Sequence, residues 1–128
     1  MRITTPQQMS IKRIANSLGI NIHYGCVNFI IDNDIVIRET TKQREWQLFG
    51  HELGHYLRHA GNQYVMCYLF RDLQEYQADH FAYHFCVPTF MLDNVQPLTV
   101  HDVVNLFCVE YQFARQRLDM YQQREEYI

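Results

Sequence analysis

The 128-residue sequence lacks both a long apolar run and an excess of basic residues. No stretch approaches the roughly 18 consecutive apolar residues of a membrane span, and no apolar segment follows the first residues. The 11 Lys and Arg are outnumbered by 14 Asp and Glu, which gives a formal charge of −3. Because nucleic-acid binding normally leaves a basic cluster in the sequence, we expect a cytoplasmic protein that contacts neither membrane nor nucleic acid directly.

Paired cysteines are also missing. The four cysteines, Cys26, Cys67, Cys86 and Cys108, are scattered and form no C-x-x-C pair. In a chain without a secretion signal they are expected to be reduced and packed. The length and the 48% apolar content predict one globular domain spanning residues 1–128, without room for a separate DNA-binding module.

The most informative stretch is the pentapeptide H-E-L-G-H, from His51 to His55. Two histidines four residues apart lie on one face of an α-helix, ~6 Å apart along its axis, so both imidazoles can reach one metal ion. Glu52 follows the first histidine directly and could take a proton from an attacking water. This spacing is typical of zinc metalloproteases, so we expect one zinc ion per chain.

A helix through this stretch is predicted from Thr40 or Thr41, either of which can cap its start, to a stop at Gly61. Its buried stripe is Trp46, Phe49, Leu53, Tyr56 and Leu57. Gly50 and Gly54 each cost about 1 kcal/mol against Ala inside a helix. Either tertiary packing tolerates them, or another backbone passes close to that face, as an adjacent strand would.

A third ligand candidate is Glu75, on a second helix predicted over residues 72–86 and begun by a capping box of Asp72 and Glu75. A carboxylate beside two histidines leaves one tetrahedral position for water, which is the pattern of a catalytic site. Asp79, one turn further, could accept the free ring N–H of one histidine and fix its tautomer. The alternative for Glu75 is a helix-capping or solvated carboxylate.

Together with the motif E-Y-Q-A-D-H-F-A at residues 75–82 and F-C-V-P at 85–88, the H-E-L-G-H stretch resembles the ImmA/IrrE family of metallopeptidases, which are small gluzincin-like enzymes. The resemblance extends from about residue 11 to 118 and is densest over residues 40–88. It implies zinc ligation by His51, His55 and Glu75, with Glu52 as general base. The pair of Glu75 and Asp79 is similar to the ligand and orienting carboxylate of thermolysin-like enzymes.

The resemblance also implies a fold and a substrate class. The expected fold is α+β and zincin-like, and the expected substrates are helix-turn-helix transcriptional repressors, cleaved to derepress a mobile element or a stress response. One departure from the family pattern is Cys86, where many relatives carry a larger apolar residue. A packing role is expected for it.

The rest of the pattern predicts the surrounding elements. A first helix begins at Pro6, capped by Thr5, and is closed by Gly19. β-branched and aromatic residues at 20–24, 27–32 and 35–39 predict a small, mainly antiparallel three-stranded sheet whose last strand leads into the H-E-x-x-H helix. That last strand could offer its edge to an extended peptide. Short helical segments after Pro88 lead to C-terminal helices that buttress the metal site.

Several other side chains are weaker candidates. Tyr64 and Tyr68, in the apolar segment 62–70, could donate a hydrogen bond to a tetrahedral intermediate, and His84 could do the same. His80 and His84 repeat the four-residue spacing without an acid after the first histidine. His23 is expected to be a lone histidine on a strand, and His59 could either support the site or face solvent.

Two functions remain open at this level. The first is a zinc-dependent endopeptidase that cleaves a repressor. The alternative is a non-catalytic, metal-containing module that binds or sequesters a repressor, although such a module has no use for an acid at Glu52. A DNA-binding regulator is disfavoured because the last helix mixes Arg115 and Arg117 with acidic residues. The sequence carries no signal for the oligomeric state.

Overall fold

A three-stranded sheet packs on helices in the computed structural model, which describes residues 3–58, 68–95 and 99–126. The strands are β1 (Asn21–Gly25), β2 (Phe29–Ile31) and β3 (Asp34–Arg38). The helices are α1 (Ile11–Leu18), α2 (Lys42–Arg58), α3 (Tyr68–Cys86), α4 (Thr89–Leu92), α5 (Val100–Phe107) and α6 (Tyr111–Glu126). The predicted α+β class is confirmed. Among the described helices, none is both long and apolar enough to cross a membrane.

The sheet is mixed, so the prediction of a mainly antiparallel sheet is wrong. The strand order is β1-β3-β2, with β1 parallel and β2 antiparallel to β3. A tight turn with Asp32 at φ +52° joins β2 to β3 as a hairpin. β1 then adds to the opposite side of β3, where the Asn21 N–H donates to the Asn33 carbonyl at 2.8 Å. The last strand before α2 is therefore central, and its edges are both occupied.

The N-terminal segment contains two short helical pieces where one helix was predicted. A 3-10 turn over Pro6–Gln8 follows Thr5, and α1 begins only after Ser10, whose hydroxyl accepts the Arg13 N–H at 3.1 Å. The Ser10 cap restarts the chain as a new helix because its own backbone is extended. The predicted end of the helix is confirmed, since Gly19 adopts the left-handed conformation at φ +72°.

The boundaries of the two longest helices differ in part from the prediction. α2 is capped by Thr41, whose Oγ1 accepts the Arg44 N–H at 3.1 Å, and its predicted stop at Gly61 lies outside the described residues. α3 begins a full turn earlier than predicted, so Asp72 lies inside the helix and the capping box at that position is wrong. No proline or glycine interrupts residues 68–71, which lets the helix start there.

α2 and α3 cross at the two glycines of α2. An added Cβ at Gly54 would lie 3.2 Å from the Ala78 Cα, and one at Gly50 would lie 2.9 Å from the Cys86 Sγ. Of the two alternatives for these glycines, the close approach of another backbone is the one observed, and that backbone belongs to a helix and not to a strand. The absence of side chains at Gly50 and Gly54 brings the axes together. Cys86 is fully buried at this crossing, in the packing role that was predicted.

Hydrogen bonds hold the C-terminal helices against the rest of the fold. A capping box begins α5, because Thr99 and Asp102 exchange backbone-to-side-chain hydrogen bonds of 3.0 and 3.2 Å. Arg117 of α6 is buried and donates to the Val87 carbonyl and to Thr89 Oγ1, both at 2.8 Å. α6 therefore holds the chain where it leaves α3.

Candidate metal centre

His51 and His55 lie side by side on α2, as their helical spacing requires. Their Nε2 atoms are 3.1 Å apart, and their rings meet edge to face with centroids separated by 4.8 Å. The His55 side chain is only 10% exposed and that of His51 is 21% exposed. The Nε2 atoms of both rings therefore face the same small space.

Glu75 brings a carboxylate from α3 into that space. One of its oxygens lies 2.9 Å from His51 Nε2 and the other lies 3.1 Å from His55 Nε2. All three ligand atoms fall within 4.8 Å of one another. Ligands ~2.1 Å from one ion in a tetrahedral arrangement are ~3.4 Å apart, a separation that falls between the 2.9 Å contact and the 4.8 Å bound of these atoms. Two imidazoles and one carboxylate therefore form a donor set compatible with a metal ion.

Asp79 contacts the first histidine. Its Oδ1 lies 2.7 Å from His51 Nδ1, one turn after Glu75 on the same face of α3. An N–H at Nδ1 that donates to this carboxylate leaves Nε2 unprotonated and aimed at Glu75 and His55. Asp79 itself is 63% exposed, so the outer side of the site is open to solvent.

Glu52 is half-buried next to the cluster. Burial raises the pKa of its carboxyl, the nearby Glu75 carboxylate raises it further, and His51 opposes both effects. A carboxyl group with a raised pKa can both accept and return a proton nearer to neutral pH than an ordinary glutamate can. Glu52 is therefore suited to proton transfer beside a bound ion.

An open pocket of about 410 Å³ adjoins this cluster on the side of Glu52. It extends along α2 toward the start of that helix and is walled by α3 and by α6. Its lining consists of Asn28, Arg44, Gln47, Leu48, His51, Glu52, Asp79, Ala82, Tyr83 and Phe113. The candidate metal centre therefore lies at one end of a groove in which a polypeptide segment can lie.

The weaker candidates from the sequence do not join the site. His84 is absent from the lining of the pocket, and burial, together with Arg117 and His80, lowers its pKa to about 4. His23 lies on β1, where its Nε2 is 3.1 Å from Asp34 Oδ1. Tyr64 and His59 lie outside the described residues, and so does the side chain of Tyr68.

The sequence reading missed Tyr83 and Phe113, two aromatic residues of the pocket wall. A signal for Tyr83 was present, because it continues the four-residue spacing of Glu75 and Asp79 along one face of α3. Nothing comparable marked Phe113, since only the tertiary packing of α6 brings it to the pocket. Its ring stacks on Tyr83 with centroids 4.4 Å apart.

Paired histidines and a facing glutamate, beside an acid on the next residue of the same helix, define a metallopeptidase type of site. The comparison with known families agrees. The chain belongs to the Peptidase_M78 family, described as the IrrE N-terminal-like domain, which it matches over residues 15–119. The family implies a metallopeptidase of the ImmA/IrrE type.

Two relatives come from Bacillus subtilis (strain 168). The Phage-like element PBSX protein XkdA is 37% identical over 134 aligned residues, which cover 96% of this chain and 68% of the relative. The protein YqaB, described as uncharacterized, is 33% identical over 135 aligned residues, which cover 93% of this chain and 76% of the relative. No solved structure matches the chain.

Proposed function

We propose that the chain is a zinc-dependent endopeptidase that cleaves a helix-turn-helix transcriptional repressor. The observation that carries the proposal is the convergence of His51, His55 and Glu75 beside the half-buried Glu52. The family implies peptide hydrolysis, and the resemblance to ImmA/IrrE proteins supplies the repressor as substrate class. One relative belongs to a phage-like element, a setting in which repressor cleavage would release silenced genes.

The protein residues divide the chemistry among themselves. His51, His55 and Glu75 would hold the ion, and Asp79 would keep the His51 ring in its binding tautomer. A bound zinc ion supplies a Lewis acid that polarises the scissile carbonyl and makes water more acidic. Glu52 takes a proton from the attacking water and passes it to the leaving amine, a shuttle for which its raised pKa is suited.

The substrate would reach this site along β2. The earlier expectation that the strand preceding α2 offers its edge is wrong, because β3 is paired on both sides. In the described part of the chain β2 is an edge strand, and Asn28, directly before it, lines the pocket with His51 and Glu52. An extended peptide paired with the free edge of β2 would therefore lie beside the ligand histidines.

The test is a cleavage assay on the zinc-loaded chain with a helix-turn-helix repressor encoded by the same genetic element. We expect discrete fragments on a gel that disappear when a chelator is added. Glu52→Gln keeps the size of the side chain but removes the base, so cleavage should fall by roughly 10²–10⁴-fold while zinc content remains one per chain.

Two results would contradict the proposal. Undiminished cleavage by zinc-loaded Glu52→Gln would exclude Glu52 as the base. A stable complex of repressor and wild-type chain without any fragments would favour the non-catalytic module that sequesters its partner. Co-purification of the repressor with the chain, measured in the same experiment, separates this second result from simple failure to bind.

A further inference from the structure

We propose that the pocket beside the metal centre binds a large, uncharged apolar side chain of the substrate residue that flanks the scissile bond. The role of the pocket rests on the proposed function, since it concerns the substrate of the same site. It would make Phe113 of α6, together with Tyr83 of α3, a determinant of which peptide bonds are cleaved.

The position of the pocket supports this role. It adjoins both the candidate ligand His51 and the candidate base Glu52. Successive Cα atoms of a peptide are ~3.8 Å apart, so a carbonyl held between these residues places a neighbouring side chain at the mouth of the pocket. The volume of about 410 Å³ is sufficient for an aromatic or long aliphatic side chain.

One part of the pocket wall is apolar and aromatic, although polar side chains line the rest. Leu48 contributes from α2, Ala82 from α3 and Phe113 from α6. The rings of Tyr83 and Phe113 stack at a centroid distance of 4.4 Å and an interplanar angle of 29°, so each ring restrains the other. A restrained aromatic surface binds apolar groups with little loss of side-chain entropy.

The polar end of the pocket offers no free positive charge. Arg44 Nε lies 2.7 Å from one Glu110 oxygen, and Arg44 Nη2 lies 3.3 Å from the other. Gln47 Nε2 also donates to Glu110, at 2.9 Å. An acidic substrate side chain would have to displace Glu110 and would meet the carboxylates of Glu52 and Asp79. The pocket therefore disfavours acidic side chains of the substrate.

The test measures binding and does not depend on cleavage. Three peptide hydroxamates that differ only in the side chain next to the zinc-binding group (benzyl, methyl or 4-aminobutyl) are titrated calorimetrically into the zinc-loaded full chain. We expect the benzyl compound to bind at least about tenfold more tightly than the methyl compound. In Phe113→Ala this ratio should fall to roughly twofold, because one wall of the pocket is lost.

The matched control is Tyr111→Ala, which removes an exposed aromatic ring from α6 outside the pocket lining and should leave the ratio unchanged. Phe113→Leu keeps the apolar packing but removes the ring, so the ratio of the benzyl and methyl affinities should be intermediate. If circular dichroism shows that Phe113→Ala does not fold, Phe113→Leu alone tests whether Phe113 determines this ratio. The pocket assignment would be overturned if the benzyl and methyl compounds bound equally well, or if the 4-aminobutyl compound bound more tightly than the benzyl compound. It would also be overturned if neither Phe113 variant changed the ratio of the benzyl and methyl affinities, or if no hydroxamate bound.

Cleavage of a repressor by the same preparations separates the two proposals. Selective binding of the benzyl compound without cleavage of any repressor would contradict the proposed function and leave the pocket as a binding site. Cleavage without a preference for the benzyl compound would leave the peptidase intact and overturn the pocket assignment.

Discussion

The described residues contain two histidine pairs with the same four-residue spacing, and the structure gives them different surroundings. His51 and His55 meet edge to face, with their Nε2 atoms 3.1 Å apart and carboxylates of α3 within hydrogen-bond distance. His80 and His84 stack with centroids 4.5 Å apart at 26°, and His84 Nδ1 lies 3.3 Å from the His80 carbonyl of its own helix. Spacing brings two rings together in both cases, but only one pair faces a second helix that supplies acids.

The electrostatic surroundings of the two pairs differ as well. Glu75 and Asp79 each place a carboxylate oxygen beside one ring nitrogen of His51, and this negative charge favours a cation at the site. Arg117 lies near His84 and, after burial, is the next largest cause of its low pKa. A histidine pair near a guanidinium is a poor cation site, so a motif search needs the facing element as well as the spacing.

The largest contrast should come from removing one ring of each pair. His51→Ala loses a ligand and should weaken zinc affinity by more than roughly 100-fold, because losing only the partner of a ligand costs 10–100-fold. His84→Ala should retain one zinc per chain. Metal content by mass spectrometry, with a competing chelator to rank affinities, measures both. Equal zinc loss in the two variants would mean that both pairs bind metal.

A smaller effect on zinc affinity is expected from Asp79→Asn. This variant removes a carboxylate beside His51, so the surroundings of the first histidine pair become more like those of His80 and His84. The amide cannot provide the same charge at His51 Nδ1, so zinc affinity should fall by roughly 10–100-fold with little change in folding. Asp93→Asn, at the C-terminal end of α4, is the matched control. Unchanged affinity in Asp79→Asn would show that the tautomer of His51 is fixed by other means.

The close helix crossing can be tested with Gly54→Ala. Alanine raises helix propensity by about 1 kcal/mol, yet the added Cβ would lie 3.2 Å from the backbone of Ala78, the residue directly before Asp79. The helices must separate by a few tenths of an ångström, so zinc affinity should fall several-fold. Gly19→Ala is the contrasting variant: it should lower the free energy of unfolding, because φ there is +72°, but leave zinc affinity unchanged.

The smallest effect concerns pH and the second pair. The folded pKa of His84, about 4, lies below its ordinary value of 6.5, so the folded state favours the neutral ring. The neutral His84 ring contributes fully to the free energy of unfolding above pH 6.5, and this contribution is lost as the pH falls toward 4. The loss occurs because, over this pH range, His84 binds a proton in the unfolded chain but not in the folded one. Allowing for solvent screening of this half-exposed ring, the loss amounts to about 1 kcal/mol.

Urea unfolding of the metal-free protein at pH 7 and pH 4.5 measures this dependence. The difference in unfolding free energy between the two pH values should shrink in His84→Gln. In His101→Gln, which alters an exposed histidine of α5, it should stay as in the wild type. Equal pH dependence in His84→Gln and wild type would contradict the assignment to His84.

Features of the structure that depend on residues close together in sequence could be predicted, and features that depend on contacts between distant segments could not. The grouping of His51, His55 and Glu75 was predictable because two ligands share a helix turn and the third lies on the next helix in the chain. The order of the strands was not, because nothing local decides whether β1 pairs with β2 or with β3. Phe113 was not predicted for the same reason, because it reaches the pocket through the packing of α6 against elements that are distant in sequence.

The central position of β3 also bears on the order of events during folding. β2 and β3 are joined by a tight turn, so their pairing closes a short loop quickly and at small entropic cost. β1 has no partner until that hairpin exists, since Asn21 pairs with Asp34. On a ribosome, β1 therefore emerges before the other two strands, and until β3 follows its unpaired backbone is open to association with other chains.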